Sequence, residues 1–134
     1  MQQRTLGHDL QVSALGLGCM GMSEFYGPRD DALALQALDH AVEAGIDFLD
    51  TADVYGPHHN EELIGRFLAT RLPRVKIATK FGIVRRAGEY RRSIDNSALY
   101  ARQSCEDSLR RLGVERIDLY YVHRVDATQP IEET

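Results

Sequence analysis

Four polar side chains stand at or just beyond the ends of three short apolar segments, and their types suit proton transfer. Asp50 closes the segment that begins at Phe48, Tyr55 follows it on the next loop, and Lys80 and His123 end two later segments. A phenol is a poor acid at neutral pH because its ordinary pKa is about 10. An ammonium beside it favours the phenolate, and a carboxylate keeps that ammonium charged and in place. The pattern therefore indicates acid–base chemistry with Tyr55 as the proton donor.

Amphipathic helical patterns separate these segments. Asp30 is a typical N-cap for a helix over residues 31–44. Asn60 is predicted to be the N-cap of a second helix, with Glu61 in its first turn, where an acidic side chain suits the helix dipole. A third helical pattern ends at Gly113, a typical C-terminal stop. Each helix lies between two strand-like segments, which predicts an α/β fold.

The strand-like segments fix how the helices must be connected. Core strands are predicted over residues 15–21, 47–50, 77–80 and 117–122, after an N-terminal β-hairpin over residues 4–12. Alternating strands and helices require parallel strands joined by right-handed crossovers. Parallel strands carry their chemistry at their carboxyl ends, so the four polar side chains should meet there. The loop of about fifteen residues after the third core strand is long for such a fold, which indicates a functional or mobile segment.

Composition limits the classes of function. The chain has 134 residues, 43% of them hydrophobic, which is typical of one globular unit at the small end for α/β enzymes. The formal net charge of -4 argues against general attraction to nucleic acid or to an anionic membrane surface. Cys19 and Cys105 lack a metal or redox spacing, and the sequence has no signal peptide or long apolar run. We therefore expect a cytoplasmic protein that acts on a small molecule.

A glycine pattern near the first core strand has the spacing of a dinucleotide-binding motif. Gly16, Gly18 and Gly21 match the spacing Gly-x-Gly-x-x-Gly. In a Rossmann fold the last glycine of this motif opens a helix. No helical pattern begins at Gly21, and Gly27 and Pro28 follow soon after. The sequence therefore does not favour a Rossmann domain.

Five segments together resemble the bacterial members of the aldo-keto reductase family. They are residues 15–22 (LGLGCMGM), 45–56 (GIDFLDTADVYG), 78–82 (ATKFG), 111–120 (RLGVERIDLY) and 123–126 (HRVD). The resemblance runs nearly from end to end of the chain. It implies an eight-stranded parallel (β/α)8 barrel of the TIM type, of which about the first four strand–helix units are present here.

The resemblance also implies a reaction and a set of catalytic residues. The family reduces an aldehyde or ketone to an alcohol with hydride from NADPH, and its catalytic tetrad corresponds to Asp50, Tyr55, Lys80 and His123. Tyr55 would donate the proton, Lys80 and Asp50 would activate it, and His123 would orient the carbonyl. Asp50 and Met20 are the candidates for cofactor contact. No metal is expected.

Two other functional interpretations stay open. A reductase-like regulatory or binding module would keep the tetrad and bind NADPH without useful turnover. A hydrolase or Schiff-base lyase would use Lys80 as the nucleophile, with His123 and Asp126 around a metal, but this scheme gives Tyr55 no role.

The chain is much shorter than the barrel of the aldo-keto reductase family. This difference in length predicts that residues 1–134 form the amino-terminal half of a single barrel domain. The chain ends where a fourth helix would begin, after Pro130. We therefore expect it to be part of something longer and inactive by itself. Four parallel strands without the other half would leave two open edges, which predicts self-association.

The remaining polar residues have simpler interpretations. We expect Asp53 to be a loop-capping carboxylate. Adjacent His58 and His59 give poor geometry for a metal and are expected to be solvated. The basic run of Arg85, Arg86, Arg91 and Arg92 could bind phosphate, but a solvated flexible loop is favoured because the chain as a whole is acidic.

Overall fold

The computed structural model describes residues 1–71, 74–86, 88–89 and 91–134, where strands and helices alternate as predicted. The strands are β1 (Gln3–Leu6), β2 (Leu10–Ser13), β3 (Leu17–Gly18), β4 (Phe48–Asp50), β5 (Lys76–Phe81), β6 (Ile83–Val84), β7 (Ser93–Ile94) and β8 (Leu119–Val122). The helices are α1 (Asp31–Glu43), α2 (His59–Arg71) and α3 (Ala98–Leu112), with short 3-10 turns at Met20–Met22 and Ile131–Glu133.

Four strands form a parallel sheet in the order β3-β4-β5-β8, and β1 and β2 form a separate antiparallel hairpin. In the parallel sheet, Gly18 lies opposite Asp50, Asp50 opposite Ala78, and Lys80 opposite Tyr121. Neighbouring strands therefore end close to one another at a single edge. Within the described residues the sheet is open, since β3 and β8 each pair on one side. Self-association through these edges stays a prediction.

The helices cover one face of the sheet and bury the main core against it. Side chains from all three helices meet apolar strand residues in a cluster that contains Cys19, Leu38, Leu49, Ile64, Phe67, Ile77 and Leu112. The helix ends follow the sequence signals in two places. The Asp30 carboxylate accepts from the backbone N–H groups of Ala32 and Leu33, at 2.9 and 3.0 Å, and Gly113 takes the left-handed conformation with φ 66°.

The first core strand is shorter than predicted. Residues 15–21 were expected to be extended, but β3 contains Leu17–Gly18 alone. Beyond it the chain turns, because Met22 N–H bonds to the Cys19 carbonyl at 3.0 Å and Ser23 N–H bonds to the Met20 carbonyl at 3.0 Å.

The prediction that Asn60 caps α2 is wrong. Asn60 lies inside the helix and is fully buried. Its side-chain amide donates to the Cys19 carbonyl at 2.8 Å and to Ser23 Oγ at 2.7 Å, and its oxygen accepts from Thr51 Oγ1 at 2.7 Å. Asn60 therefore ties the turn after β3 to the loop after β4, which are the two loops that frame the site.

The long segment after β5 is more ordered than a solvated loop. Its described parts contain β6 and β7, which pair antiparallel. Arg85 forms an ion pair with Glu24 at 2.6 Å, and both side chains are about nine-tenths buried. Arg92 lies over the Phe25 ring at 5.6 Å. Two of the four arginines thus attach this hairpin to the turn after β3. The expectation of a solvated loop is wrong for Arg85, whereas Arg92 is exposed.

None of the helices in the described ranges is long and apolar enough to cross a membrane.

Candidate active site

The carboxyl ends of β4, β5 and β8 bring the four predicted site residues to one place. Asp50 is the last residue of β4, and Lys80 is the next-to-last residue of β5. His123 follows β8, and its backbone N–H bonds to the Phe81 carbonyl at 2.8 Å, which extends the pairing. Tyr55 lies on the loop after β4, where its N–H bonds to the Ala52 carbonyl at 3.2 Å.

The Lys80 ammonium connects the site. Its Nζ donates to Asp50 Oδ1 at 2.5 Å, to the Thr51 carbonyl at 2.7 Å and to the Tyr55 hydroxyl at 3.1 Å. An ammonium has three N–H groups, so all of them have an acceptor. The Lys80 side chain is 9% exposed and Tyr55 is also 9% exposed. The ammonium is therefore held in one direction, against the phenol oxygen.

Electrostatics keep Lys80 charged. Burial alone would lower the pKa of Lys80, because it penalises the charged form. Hydrogen bonds to Asp50 and Tyr55, together with the charge of Asp50, outweigh burial and raise this pKa above its ordinary value. At neutral pH Lys80 is thus a cation in contact with the phenol oxygen.

His123 faces the same phenol. The rings of Tyr55 and His123 have centroids 5.6 Å apart and lie edge to face. Nδ1 of His123 is buried and has no hydrogen-bond partner among the described residues. Burial, followed by the charges of Lys80 and Arg124, lowers the pKa of His123 below its ordinary value. The imidazole is therefore neutral at neutral pH.

Sequence reasoning missed Tyr121 as a member of this site. The Tyr121 hydroxyl donates to Asp50 Oδ2, and its ring lies 5.3 Å from Lys80 Nζ. Burial, together with the hydrogen bond and charge of Asp50, raises the pKa of Tyr121 to about 12. The period of two in a strand could have found it, since residues 121 and 123 point to the same side of β8.

The Tyr55 ring is part of an apolar cluster. Ala52, Val54, Tyr55 and Ile83 form a small buried cluster, and Met20 packs against it from the turn after β3. Met20 thus packs against the cluster that contains Tyr55, in keeping with its assignment as a candidate cofactor contact. That contact stays a prediction.

The opposite face of β5 carries a second buried polar group, which sequence reasoning also missed. Glu61, expected to act on the helix dipole, is fully buried. Its carboxylate accepts from Thr79 Oγ1 at 2.6 Å and from Arg111 Nε at 2.6 Å. These bonds join α2, α3 and β5 behind the site.

Asp53 is more than a loop cap. It is 3% exposed, its Oδ2 accepts from Ser104 Oγ at 3.4 Å, and its Oδ1 has no hydrogen-bond partner among the described residues. Burial and the nearby charge of Glu61 raise the pKa of Asp53 to about 7, against the opposing charge of Arg111. The Asp53 carboxyl lies near the second polar group and is not among the acceptors of the Lys80 ammonium, although the Asp53 backbone N–H bonds to the Lys80 carbonyl at 3.3 Å.

The adjacent histidines differ from each other. His58 is exposed, as expected. His59 is enclosed between Ser23 Oγ at 2.8 Å and Asp31 Oδ1 at 3.0 Å, so the expectation that it is solvated is wrong. Within the described residues, no cluster of histidine, cysteine and acidic side chains has the arrangement of a metal site.

The sequence matches the model of the aldo/keto reductase family over residues 14–134. The chain belongs to this family. Its structure is similar to the holo form of the aldo-keto reductase AKR11C1 from Bacillus halodurans, with 39% sequence identity and a TM-score of 0.89. It is also similar to the glycerol dehydrogenase AKR11B4 from Gluconobacter oxydans, with 35% identity and a TM-score of 0.86.

The comparisons confirm the predicted fold class. The match covers 99% of this chain and 43% of the Bacillus chain, and 98% of this chain and 41% of the Gluconobacter chain. The chain thus spans less than half the length of these two aldo/keto reductases. Its open four-stranded sheet corresponds to part of their barrel. That Asp50, Tyr55, Lys80 and His123 catalyse a reaction stays a prediction.

Proposed function

We propose that this site, in a complete barrel, reduces an aldehyde or ketone to an alcohol with NADPH as the hydride source. One observation carries the proposal: a charged Lys80 ammonium lies 3.1 Å from the Tyr55 hydroxyl and 2.5 Å from Asp50. The family of the chain and the Gluconobacter relative, a glycerol dehydrogenase, support chemistry between a carbonyl and an alcohol.

Tyr55 is the proton donor in this proposal. As hydride reaches the carbonyl carbon, negative charge develops on the carbonyl oxygen, and Tyr55 gives that oxygen its hydroxyl proton. The phenolate left behind is stabilised by the Lys80 ammonium, which already donates to the same oxygen. Asp50 balances the ammonium, so the charge needed for the step is in place before the substrate binds.

His123 orients the carbonyl. Because Nδ1 is enclosed and has no partner among the described residues, Nε2 is the ring nitrogen that can reach a substrate. A neutral imidazole carries one N–H, and in the tautomer protonated on Nε2 it donates to the carbonyl oxygen. The lowered pKa of His123 keeps the ring neutral, so Tyr55 rather than His123 is the acid.

The residues around Tyr55 fit a nicotinamide cofactor. Met20 is partly exposed and packs against the buried cluster that contains Tyr55, so its side chain offers an apolar contact to a planar ring. Asp50 accepts one bond on each oxygen from the protein, and a carboxylate has capacity for further donors. Bound there, NADPH would supply the hydride. The Bacillus relative is described as a holo form, which supports a bound cofactor in this branch of the family.

The lyase or hydrolase scheme is less well supported. A Lys80 nucleophile must be a neutral amine, and the raised pKa of Lys80 opposes this form. Asp126, the proposed metal partner of His123, instead accepts from the backbone N–H and the hydroxyl of Thr128. The regulatory-module alternative differs from the leading proposal in turnover alone, so a kinetic experiment separates them.

The test uses a chimera, because the chain spans less than half of its relatives. Residues 1–134 replace the matching part of the Bacillus reductase, and NADPH oxidation is followed with a panel of aldehydes and ketones. The same assay on the 134-residue chain alone should show no turnover. In the chimera, Tyr55→Phe should lower kcat at least about 100-fold, because general acid catalysis is lost.

Tyr120→Phe is the matched control, since the Tyr120 hydroxyl donates to the Ala101 carbonyl, away from the tetrad. It should leave kcat nearly unchanged. Unaltered reduction by the Tyr55→Phe chimera would overturn the role of Tyr55. A chimera that binds NADPH, measured by cofactor fluorescence, but reduces no carbonyl would favour the regulatory module.

A further inference from the structure

Tyr121 lies directly opposite Lys80 in the pairing of β5 with β8. Paired residues of neighbouring strands project from the same face of a sheet, so the two side chains share the site. The Tyr121 hydroxyl donates to Asp50 Oδ2 and not to Tyr55. Its ring lies 5.3 Å from Lys80 Nζ, slightly farther than the Tyr55 ring at 4.8 Å.

Asp50 is thus held on both of its oxygens by two different strands. Lys80 of β5 donates to Oδ1 at 2.5 Å, and Tyr121 of β8 donates to Oδ2. A carboxylate bonded through one oxygen can turn about its Cβ–Cγ bond, whereas donors on both oxygens fix its plane. Since the Asp50 side chain is 31% exposed, packing alone does not hold that plane.

The direction of the ammonium depends on this carboxylate. The other two acceptors of Lys80 are the Thr51 carbonyl and the Tyr55 hydroxyl. If Asp50 turned, one N–H of Lys80 would lose its acceptor, and the ammonium could rotate away from Tyr55. A fixed Asp50 carboxylate therefore keeps one N–H group of Lys80 directed at the Tyr55 hydroxyl.

We propose that Tyr121 is a positioning residue, whose hydroxyl fixes the plane of Asp50 and so holds the Lys80 ammonium against Tyr55. Its catalytic consequence rests on the function proposed above, whereas the contacts themselves do not. Tyr121 is not a second proton donor to the substrate, because its hydroxyl already donates a hydrogen bond to Asp50. The two phenols beside Lys80 thus have different tasks.

The chain is well suited to a direct test, because Lys76 and Lys80 are its two lysines. Lys76 forms a separate ion pair with Asp47 at 2.5 Å and serves as an internal reference. With lysine labelled by nitrogen-15, NMR reports the exchange of each ammonium's protons with water. In Tyr121→Phe, exchange at Lys80 should accelerate by at least about tenfold, as the loss of one hydrogen bond to a charged group predicts. Exchange at Lys76 should not change.

Tyr120→Phe again provides the control, because it removes a hydroxyl from the same strand and leaves Asp50 untouched. It should leave the Lys80 exchange rate unchanged even where it lowers stability. A second measurement needs no variant: the Tyr121 hydroxyl proton of the unaltered chain should exchange slowly enough to give its own resonance. A Lys80 rate that is equal in all three proteins, or a Tyr121 hydroxyl in free exchange, would overturn the proposal.

Kinetics separate this proposal from the proposed function. In the active chimera, Tyr121→Phe should lower kcat about tenfold and leave KM for the carbonyl substrate nearly unchanged, because the variant does not alter His123, which orients the carbonyl. Faster Lys80 exchange without any carbonyl reduction by the parent chimera would support the positioning contact and overturn the function. An active chimera whose Tyr121→Phe variant keeps full kcat and slow Lys80 exchange would support the function and overturn the positioning role.

Discussion

Replacement of Asp53 by asparagine should change how stability depends on pH. The Asp53 carboxyl is 97% buried, and the hydrogen bond that it receives from the Ser104 hydroxyl is long, at 3.4 Å. Burial raises its pKa to about 7, and the charge of Glu61 adds to this shift. Asparagine has nearly the same shape and carries no charge at any pH. The variant therefore isolates the cost of ionising this buried carboxyl.

The sign follows from proton binding. In the unfolded chain Asp53 has an ordinary pKa of 3.8, whereas in the folded chain it keeps its proton up to about pH 7. Its contribution to stability is thus fully present below the unfolded pKa and is lost as the pH rises through the folded pKa. Each pKa unit corresponds to about 1.36 kcal/mol, so the complete loss amounts to roughly 4 kcal/mol. This is a large share of the total stability of a small domain, about 5–15 kcal/mol.

Urea unfolding of the wild-type chain and of Asp53→Asn, at about pH 4.5 and about pH 8, measures this effect. The free energy of unfolding of the variant, relative to wild type, should rise by roughly 3 kcal/mol between the two conditions. Glu106→Gln, an exposed acid on the same helix as Ser104, is the control and should show almost no such change. If the free energies of unfolding of Asp53→Asn and wild type differ by the same amount at both pH values, the pKa of Asp53 is not raised by burial.

Two further substitutions test the packing that frames the site. Gly65→Ala would place a methyl group 2.3 Å from the Arg111 carbonyl oxygen, where α2 and α3 meet, and should destabilise the chain by about 1–3 kcal/mol or more in urea unfolding. Gly18→Ala is its control, because, its two chain neighbours aside, no atom of the described residues lies within 4 Å of the new methyl group; equal effects of the two would contradict the close approach. Asn60→Ala leaves the Cys19 carbonyl without its amide donor and should cost at least about 2 kcal/mol; an unchanged melting temperature would contradict this.

The parallel sheet and the meeting of four side chains could be predicted from sequence, because both depend on local patterns. Asp50, Lys80 and His123 each follow a short apolar run, and parallel strands bring such positions to one edge whatever the details of packing. The start of α1 and the last turn of α3 were also predictable, since Asp30 and Gly113 act through nearby backbone groups.

The errors arise where distant contacts decide the role of a residue. Asn60 has the residue type of an N-cap, but its partners are 9, 37 and 41 positions away in the chain. Glu61 suits the first turn of a helix, yet a bond to Arg111, 50 positions away, accounts for its burial. Tyr121 could be placed on the His123 side of β8 by alternation, but its bond to Asp50 depends on the distance between two strands.

Side chains on the helix-covered face of β5 support the site on its other face. Thr79 and Lys80 are neighbours and therefore point to opposite faces. Thr79 is anchored to Glu61, which Arg111 also holds, so the register of β5 is fixed against both helices behind it. A shift of β5 by one residue would exchange Thr79 and Lys80 between the faces, burying an ammonium against the helices and removing it from Tyr55. The buried carboxylate of Glu61 thus supports, together with the pairing of β5 to β4 and β8, the register in which Lys80 reaches the phenol, although it lies on the opposite side of the sheet.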